Sequence, residues 1–238
     1  MSIYIVLAAV MALNGVVLGV LEYVGKSALM SKHRERKDSP RKVEAGEHTK
    51  NRVINGVVST LQIFITAYLL GGWLFTARPL GWVETILDAA LILALYDLGY
   101  YLVHRFVFHQ WRVGRKIHAV HHRVLSPYVQ DSLFIHPAET VAGICLFFGC
   151  AMVVGPVSVY SFGLSFFVYS AWNLFIHSAF HLPFFPFRTM SSLVTHHDLH
   201  HRSMKAGYYA SLTPIYDHLF GTATEHKKRI VSANEAKA

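Results

Sequence analysis

The sequence predicts an all-α fold, a multi-pass bundle of transmembrane helices with a helical cap on its cytoplasmic side. Hydrophobic residues make up 53% of the 238-residue chain and charged residues only 15%, whereas soluble domains carry roughly a quarter charged residues. The apolar residues are gathered into long runs, and most of the sixteen histidines lie beside the ends of those runs. Lipid is therefore the expected solvent for much of this chain.

Five apolar runs are long enough to cross a hydrocarbon core about 30 Å thick. They cover residues 3–24, 53–75, 83–103, 138–154 and 157–180. No basic residue precedes the first run and no small-residue cleavage site is clear, so we interpret it as an uncleaved span and not as a signal peptide. Gly155-Pro156 between the last two runs predicts a tight hairpin tip, and this hairpin either crosses the membrane fully or is re-entrant.

The basic residues predict the orientation. With the amino terminus outside, segments 25–52, 104–137 and 181–238 hold 9, 5 and 7 of the 22 Lys and Arg residues, and only Arg78 lies outside. The positive-inside rule then makes these segments cytoplasmic, in a bacterial inner membrane or the endoplasmic reticulum. The net charge of +8 is explained by topology, so we expect no nucleic-acid partner. His33, His48 and His226 fall in polar segments and are expected to be solvated.

Ten histidines form four groups, all at or beyond the predicted cytoplasmic interface. The groups are His104 and His109; His118, His121 and His122; His177 and His181; and His197, His200 and His201. Residues three and four apart share a helix face, so the members of each HxxHH triplet are expected to converge, as are His177 and His181. Imidazole ligates Fe, Zn, Cu and Ni. Ten histidines exceed the needs of one ion and suit two, which predicts a histidine-ligated dimetal site in the cap.

The order HxxxxH, HxxHH, HxxxH, HxxHH on membrane spans resembles the fatty acid hydroxylase/sterol desaturase superfamily, over residues 97–222. DLGYYLVHR before the first group, Trp111, HPAE at His136 and DHLFGT at residues 217–222 share the resemblance. It implies that the ten histidines bind two iron ions, with zinc possible on overexpression. It further implies that O2, a bilayer lipid and a separate electron-donor protein take part in the reaction.

The resemblance divides the chain into residues 1–82, two membrane spans with a basic cytoplasmic loop, and residues 83–238, the hydroxylase-like catalytic domain. One element departs from the family pattern. Where the family usually carries Asn-aromatic-Gly after the last histidine group, this chain reads KAGYYAS at residues 205–211.

Four further residues are candidates for orienting the ligands. Asp97 lies seven residues, two helical turns, before His104, and it either supports that imidazole or makes a structural hydrogen bond elsewhere in the bundle. Asn173 shares a face with His177 and supports a ligand or packs between helices. His136 and His196 are the other two candidates; only His197, and not His196, fits the HxxHH spacing. His218 is interpreted as structural.

The predicted function is hydroxylation of the hydrocarbon part of a lipid, a fatty acyl chain, sphingolipid or sterol. Desaturation on the same site is the alternative, because the same metal chemistry serves both. A membrane zinc hydrolase would carry a general base as in HExxH, which is absent. A non-catalytic metal carrier would place polar groups deep in the spans, whereas these histidines gather at one interface. Cys145 and Cys150 lie five apart, which argues against a thiolate site.

The charge distribution makes the sidedness testable. A reporter fused after Ala238 is expected to be active only if it functions in the cytoplasm, because 21 of the 22 basic residues fall on the side of the carboxyl terminus. Activity of an exclusively extracytoplasmic reporter at the same position would contradict this orientation.

Overall fold

The computed structural model describes residues 2–27, 43–76, 81–182 and 187–223. Arg78, His33 and His226, together with most of the polar loop at residues 31–50, lie outside these ranges. Within them, an isolated β-bridge joins Phe75 and Val157 and the regular elements are helical. The predicted all-α class is confirmed.

The described chain contains eight α-helices, one π-helix and two 3-10 helices. They are α1 (Ile3–Gly25), α2 (Ala45–Leu74), α3 (Trp82–Leu102) with the π-helix Val103–Gln110 directly behind it, α4 (Arg112–His118), the 3-10 helices His121–Arg123 and Val129–Leu133, α5 (Pro137–Val154), α6 (Val159–Ile176), α7 (Phe187–His201) and α8 (Ile215–Leu219).

Each predicted apolar run coincides with a helix that is long and apolar enough to cross a membrane. These helices are Ile3–Gly25, Ala45–Leu74, Trp82–Gln110, Pro137–Val154 and Val159–Ile176. Their outward faces expose large apolar side chains such as Leu69, Tyr68 and Trp73. Exposing such a face to water is unfavourable because of the hydrophobic effect, whereas exposing it to the hydrocarbon chains of a bilayer is not. The multi-pass bundle is thus confirmed.

The second helix begins eight residues earlier than the apolar run that predicted it. Residues 45–52 are polar, yet they continue α2 toward its amino end. His48 lies in this extension and is only 3% exposed, so the expectation that it is solvated was wrong. Side chains elsewhere in the fold bury it, and sequence periodicity gives no signal for that burial.

The hairpin between α5 and α6 has the predicted tip. Gly155 has φ +110°, a backbone conformation that residues with a Cβ rarely adopt, and Ser158 caps α6 by accepting a hydrogen bond from the Ser161 N–H at 2.8 Å. Val157 donates to Leu74 O and accepts from the Thr76 N–H. These bonds tie the tip to the end of α2, so both lie at the same end of the bundle.

The core lies between α1, α2, α3, α5 and α6. Its fully buried members include Leu7, Ile92, Phe147 and Phe162. At Gly163 a Cβ would stand 2.4 Å from Val6 Cγ1, so the glycine allows α1 to pack closely against α6. The first two spans are therefore packed into the same bundle as the helices that carry the histidines.

Candidate metal centre

Nine of the ten clustered histidines meet at the end of the bundle where α3 and α6 finish. Their nitrogen atoms form two groups that could each hold a metal ion, and each group's potential ligand atoms lie within 4.8 Å of one another. Group one is His104, His109, His118 and His200; group two is His121, His177, His197 and His201. His122 adjoins group one, because its Nε2 lies 3.1 Å from Nε2 of both His118 and His200.

A π-helix brings His104 and His109 together. Five residues along an α-helix correspond to a rotation of about 500°, which would leave the two side chains about 140° apart. The i→i+5 pattern of a π-helix nearly realigns them. The Trp111 N–H bonds to Phe106 O at 2.9 Å, five residues back, and the two imidazole centroids are 5.0 Å apart. The local π geometry thus turns the HxxxxH spacing into a pair of ligands.

Each HxxHH motif divides its histidines between the two groups. In the first motif His118 and His122 face group one and His121 faces group two; in the second His200 faces group one, while His197 and His201 face group two. The expectation that each triplet converges on one point was wrong. A 3-10 helix begins at His121 behind α4, and in α7 positions 197 and 200 point about 60° apart, toward different groups.

His181 does not join either group. Helix α6 ends at Ile176, the Ser178 N–H turns back to Phe175 O at 2.9 Å, and Ala179 has φ 58°. The chain therefore leaves the helix before residue 181. His181 is exposed, with its Nδ1 3.4 Å from Thr195 Oγ1. The expected shared helical face of His177 and His181 is absent because the helix stops between them.

Hydrogen bonds at Nδ1 set the imidazole tautomers. Six histidines place Nδ1 against a backbone carbonyl, which can only accept, so Nδ1 carries the proton and Nε2 carries the lone pair. The acceptors are Tyr209 O for His104 (2.7 Å), Met204 O for His109 (2.8 Å), Phe134 O for His121 (3.1 Å), Asn173 O for His177 (2.7 Å), Gly207 O for His200 (2.9 Å) and Val124 O for His201 (2.8 Å). His118 Nδ1 bonds instead to the Glu139 carboxylate at 2.8 Å.

This arrangement leaves lone pairs facing lone pairs. Nε2 of His104 lies 3.0 Å from Nε2 of His118, and Nε2 of His121 lies 3.3 Å from Nε2 of His177. Both atoms of each pair are acceptors, and His109 Nε2 is buried with no hydrogen-bond partner. Ligand nitrogens about 2.1 Å from a shared ion stand about 3.0–3.4 Å apart. The donor set therefore fits a bound cation in each group.

Burial keeps the imidazoles in the neutral form that binds metal. Burial, and secondarily the neighbouring His121 ring, lowers the pKa of His177 to about 3. Burial is likewise the largest cause that lowers the pKa of the other ligand candidates outside the spans, which are His121, His122, His197, His200 and His201. No proton has to leave these groups before they ligate an ion.

Sequence reasoning missed Glu139, the one carboxylate that contacts a clustered histidine directly among the described residues. It lies in the first turn of α5, is buried, and orients His118 through the 2.8 Å contact at Nδ1. Glu139 belongs to the HPAE motif, in which His136 was the residue predicted to support the ligands. That histidine instead caps α5 by accepting from the Ala138 N–H at 3.1 Å.

Segment 204–213 supplies three of the orienting carbonyls and is itself held by two carboxylates. Asp217 accepts from the N–H groups of Tyr209 and Ala210, and Asp97 accepts from Leu212, Thr213 and the Thr213 hydroxyl. The interpretation that Asp97 supports His104 directly is corrected. Its contacts are with this segment, whose Tyr209 carbonyl orients His104.

The KAGYYAS departure falls within this segment, and its contribution to the ligands comes from the backbone. The carbonyl of Gly207 orients His200. A Cβ at Gly207 would stand 1.8 Å from Thr222 O, so this position requires glycine. Although the side chains differ from the family pattern, the carbonyls of Gly207 and Tyr209 still orient His200 and His104.

Two other expected supporting residues act differently from the prediction. Asn173 does contact His177, the first of its two predicted roles, but it does so through its backbone carbonyl, and the residue also lines a cavity. His196 stacks on Tyr208 with ring centroids 4.3 Å apart, and His197 is the residue placed in group two. His218 is exposed on α8.

A cavity of about 350 Å³ extends from group two into the bundle. His121, His177 and Glu139 belong to its lining, and most other lining residues are apolar residues of α1, α2, α5 and α6, among them Leu18, Ile63 and Phe166. Its lining includes Gly15 of α1, which is exposed. The cavity therefore connects the histidines with the lipid-facing surface of the bundle.

Comparison with known proteins gives one family and two kinds of relative. The profile of the fatty acid hydroxylase family matches residues 89–222. A very-long-chain aldehyde decarbonylase of Oryza sativa subsp. indica is 30% identical over 158 residues, which are 62% of this chain and 56% of the relative. Methylsterol monooxygenase 1 of Rattus norvegicus is 25% identical over 215 residues, 83% of this chain and 69% of the relative. Methylsterol monooxygenase 2-2 of Arabidopsis thaliana is 26% identical over 155 residues, 62% of this chain and 56% of the relative.

No solved structure matches the chain significantly. The chain spans 56% of the length of the rice relative. The family match covers more than half of the chain and contains all ten clustered histidines. The chain belongs to the fatty acid hydroxylase family.

Proposed function

We propose that this protein is a membrane-bound di-iron oxygenase that hydroxylates the hydrocarbon part of a lipid. The observation that carries the proposal is the pair of buried histidine groups at the end of an apolar cavity. Two bound iron ions would supply the redox chemistry that uses O2. One oxygen atom of O2 is inserted into a C–H bond to give an alcohol. The other is reduced to water and takes up two protons and two electrons, and a separate donor protein supplies the electrons.

The residues around the cavity position the lipid. An acyl or sterol hydrocarbon enters between α1 and α2, past the exposed Gly15, and the apolar lining excludes water from its path. The reacting carbon lies beside His121 and His177, at the cavity end. Glu139 and the backbone carbonyls hold the imidazoles in one orientation throughout.

The basic residues support a cytoplasmic position for this end of the bundle. Arg112, Arg115 and Lys116 of α4 and Arg123 behind it lie near the histidines in sequence, and cytoplasmic segments carry such an excess of basic residues. A cytoplasmic donor protein would then reach the centre from the side opposite to the cavity.

The relatives suggest the substrate classes to try first. They include a methylsterol monooxygenase and a very-long-chain aldehyde decarbonylase. The monooxygenase names favour hydroxylation over desaturation. A long-chain aldehyde is a second candidate substrate, since the rice relative at 30% identity carries the decarbonylase name. A methylsterol gives an alcohol product, whereas an aldehyde gives a shortened hydrocarbon, so product analysis separates them.

Metal content and oxygen dependence test the reaction. Purified protein is expected to hold about two metal ions per chain, iron when native, because the donor atoms form two groups; zinc can replace iron on overexpression, since imidazole sites favour it. Elemental analysis counts the ions, and lipid oxidation is followed with and without O2 and a reductant. Turnover of a lipid ester by water in the absence of O2 would defeat the oxygenase proposal.

Two matched pairs of histidines test the ligand assignment. His197→Ala and His177→Ala are expected to lower the metal content by about one ion per chain, because each removes a member of group two. His196→Ala and His181→Ala are the controls and should retain both ions, since one ring stacks on Tyr208 and the other is exposed. Retention of metal in His197→Ala together with its loss in His196→Ala would contradict the assignment.

Two glycines of α1 test the cavity as the lipid path. A Cβ at Gly15 or at Gly19 would meet no atom within 4 Å, and both residues are exposed, but only Gly15 lines the cavity. Gly15→Phe is expected to lower kcat/KM for the lipid at least tenfold with unchanged metal content, because the ring obstructs the entrance. Gly19→Phe should behave like the parent protein. Equal kcat/KM values in the two variants would show that the lipid does not enter through this cavity.

A further inference from the structure

The amino-terminal turns of α2 clamp residues 123–135, the segment that follows His121 of group two in the chain. They lie outside residues 89–222, which the family profile matches, yet they contact residues 123–135 repeatedly. Glu47 pairs with Arg123, the Asn51 and Asn55 amides donate to Ile135 O at 3.0 and 2.8 Å, and Arg52 donates to Gln130 Oε1 at 3.0 Å. A span that contributes no ligand thus holds this segment in place.

His48 makes the buried contact of this clamp. Its Nε2 lies 2.6 Å from Asp131 Oδ1, and Asp131 is fully buried. The other oxygen of Asp131 accepts from the Tyr128 N–H at 2.7 Å. The His48 ring also stacks on Phe134, with centroids 5.2 Å apart and planes at 17°. One side chain therefore satisfies a buried carboxylate and packs against an aromatic ring of the same short helix region.

Two hydrogen bonds connect this contact to group two. The Phe134 N–H bonds to Asp131 O at 2.9 Å. The Phe134 carbonyl then accepts from Nδ1–H of His121 at 3.1 Å, which directs His121 Nε2 toward His177. The ligands of group one are held by Glu139 and by segment 204–213 instead, so this connection serves one group only.

We propose that His48 is a positioning residue for the metal ion of group two, acting through Asp131, Phe134 and His121. Without its N–H donor, the buried Asp131 carboxylate keeps the Tyr128 N–H but loses the partner of its Oδ1, and removing one donor from a buried carboxylate is unfavourable. The 129–134 region must then move toward water, and the Phe134 carbonyl leaves its place. His121 loses the bond that fixes its tautomer and direction, which weakens metal binding. The inference rests on the proposal that group two holds a metal ion.

Metal stoichiometry tests the inference in the full-length protein. The parent is expected to bind about two ions per chain and His48→Ala about one. His48→Gln, whose amide can donate to Asp131, should recover at least half of the lost occupancy. Arg52→Ala is the matched control, because Arg52 bonds to the same segment from the next turn of α2 without contacting Asp131 or Phe134, and it should keep both ions. If His48→Ala does not fold, His48→Phe takes its place, since it keeps the stack and removes only the donor.

Double variants show which group is affected. His48→Ala combined with His197→Ala should bind about one ion, as His197→Ala does alone, because both changes act on group two. His48→Ala combined with His200→Ala should bind none. Two ions in His48→Ala or His48→Phe would overturn the inference. No ion in the double variant with His197→Ala, together with one ion in the double variant with His200→Ala, would also overturn it. A parent protein that binds no metal would instead refute the proposed function, so the two failures are distinguishable.

Discussion

The hydrogen bond from imidazole Nδ1 to a fixed acceptor is the interaction on which this structure depends. Seven such bonds, six to backbone carbonyls and one to Glu139, determine which nitrogen of each ring carries the proton. They leave the Nε2 lone pairs directed at one another in a buried space, an arrangement that a cation stabilises and that is unfavourable without one. The proposed metal ions would therefore couple metal binding to the folding of this end of the bundle.

The acceptors explain why irregular backbone surrounds the histidines. Carbonyls inside an α-helix are occupied by the helix itself, so most of these acceptors come from loops, turns and helix ends: Val124, Phe134, Met204, Gly207 and Tyr209. Buried irregular backbone in turn needs its own partners. Asp97, Asp131 and Asp217 provide them by accepting N–H groups of these loops. The buried carboxylates thus act on the ligands through the main chain.

The two groups of ligands differ in their surroundings although the two HxxHH motifs are alike. Group one is held by Glu139 and segment 204–213, whereas His121 and His177 of group two line the cavity directly and are held by the carbonyls of Phe134 and Asn173. The cavity reaches the apolar outer surface at α1, so a lipid would approach group two first. This asymmetry follows from the division of each motif between the groups.

The sequence alone determined the all-α membrane bundle, the positions of its five spans and the gathering of the histidines at one end. Those features depend on local hydrophobicity and on spacing along the chain, which are visible in residue order. Tertiary structure decided the rest. The π-helix aligned His104 with His109, the early end of α6 removed His181 from the centre, and the pairing with Asp131 buried His48. These outcomes depend on a local change of helix type, on where a helix stops and on a hydrogen bond to a partner distant in sequence, and hydrophobic periodicity carries no information about any of them.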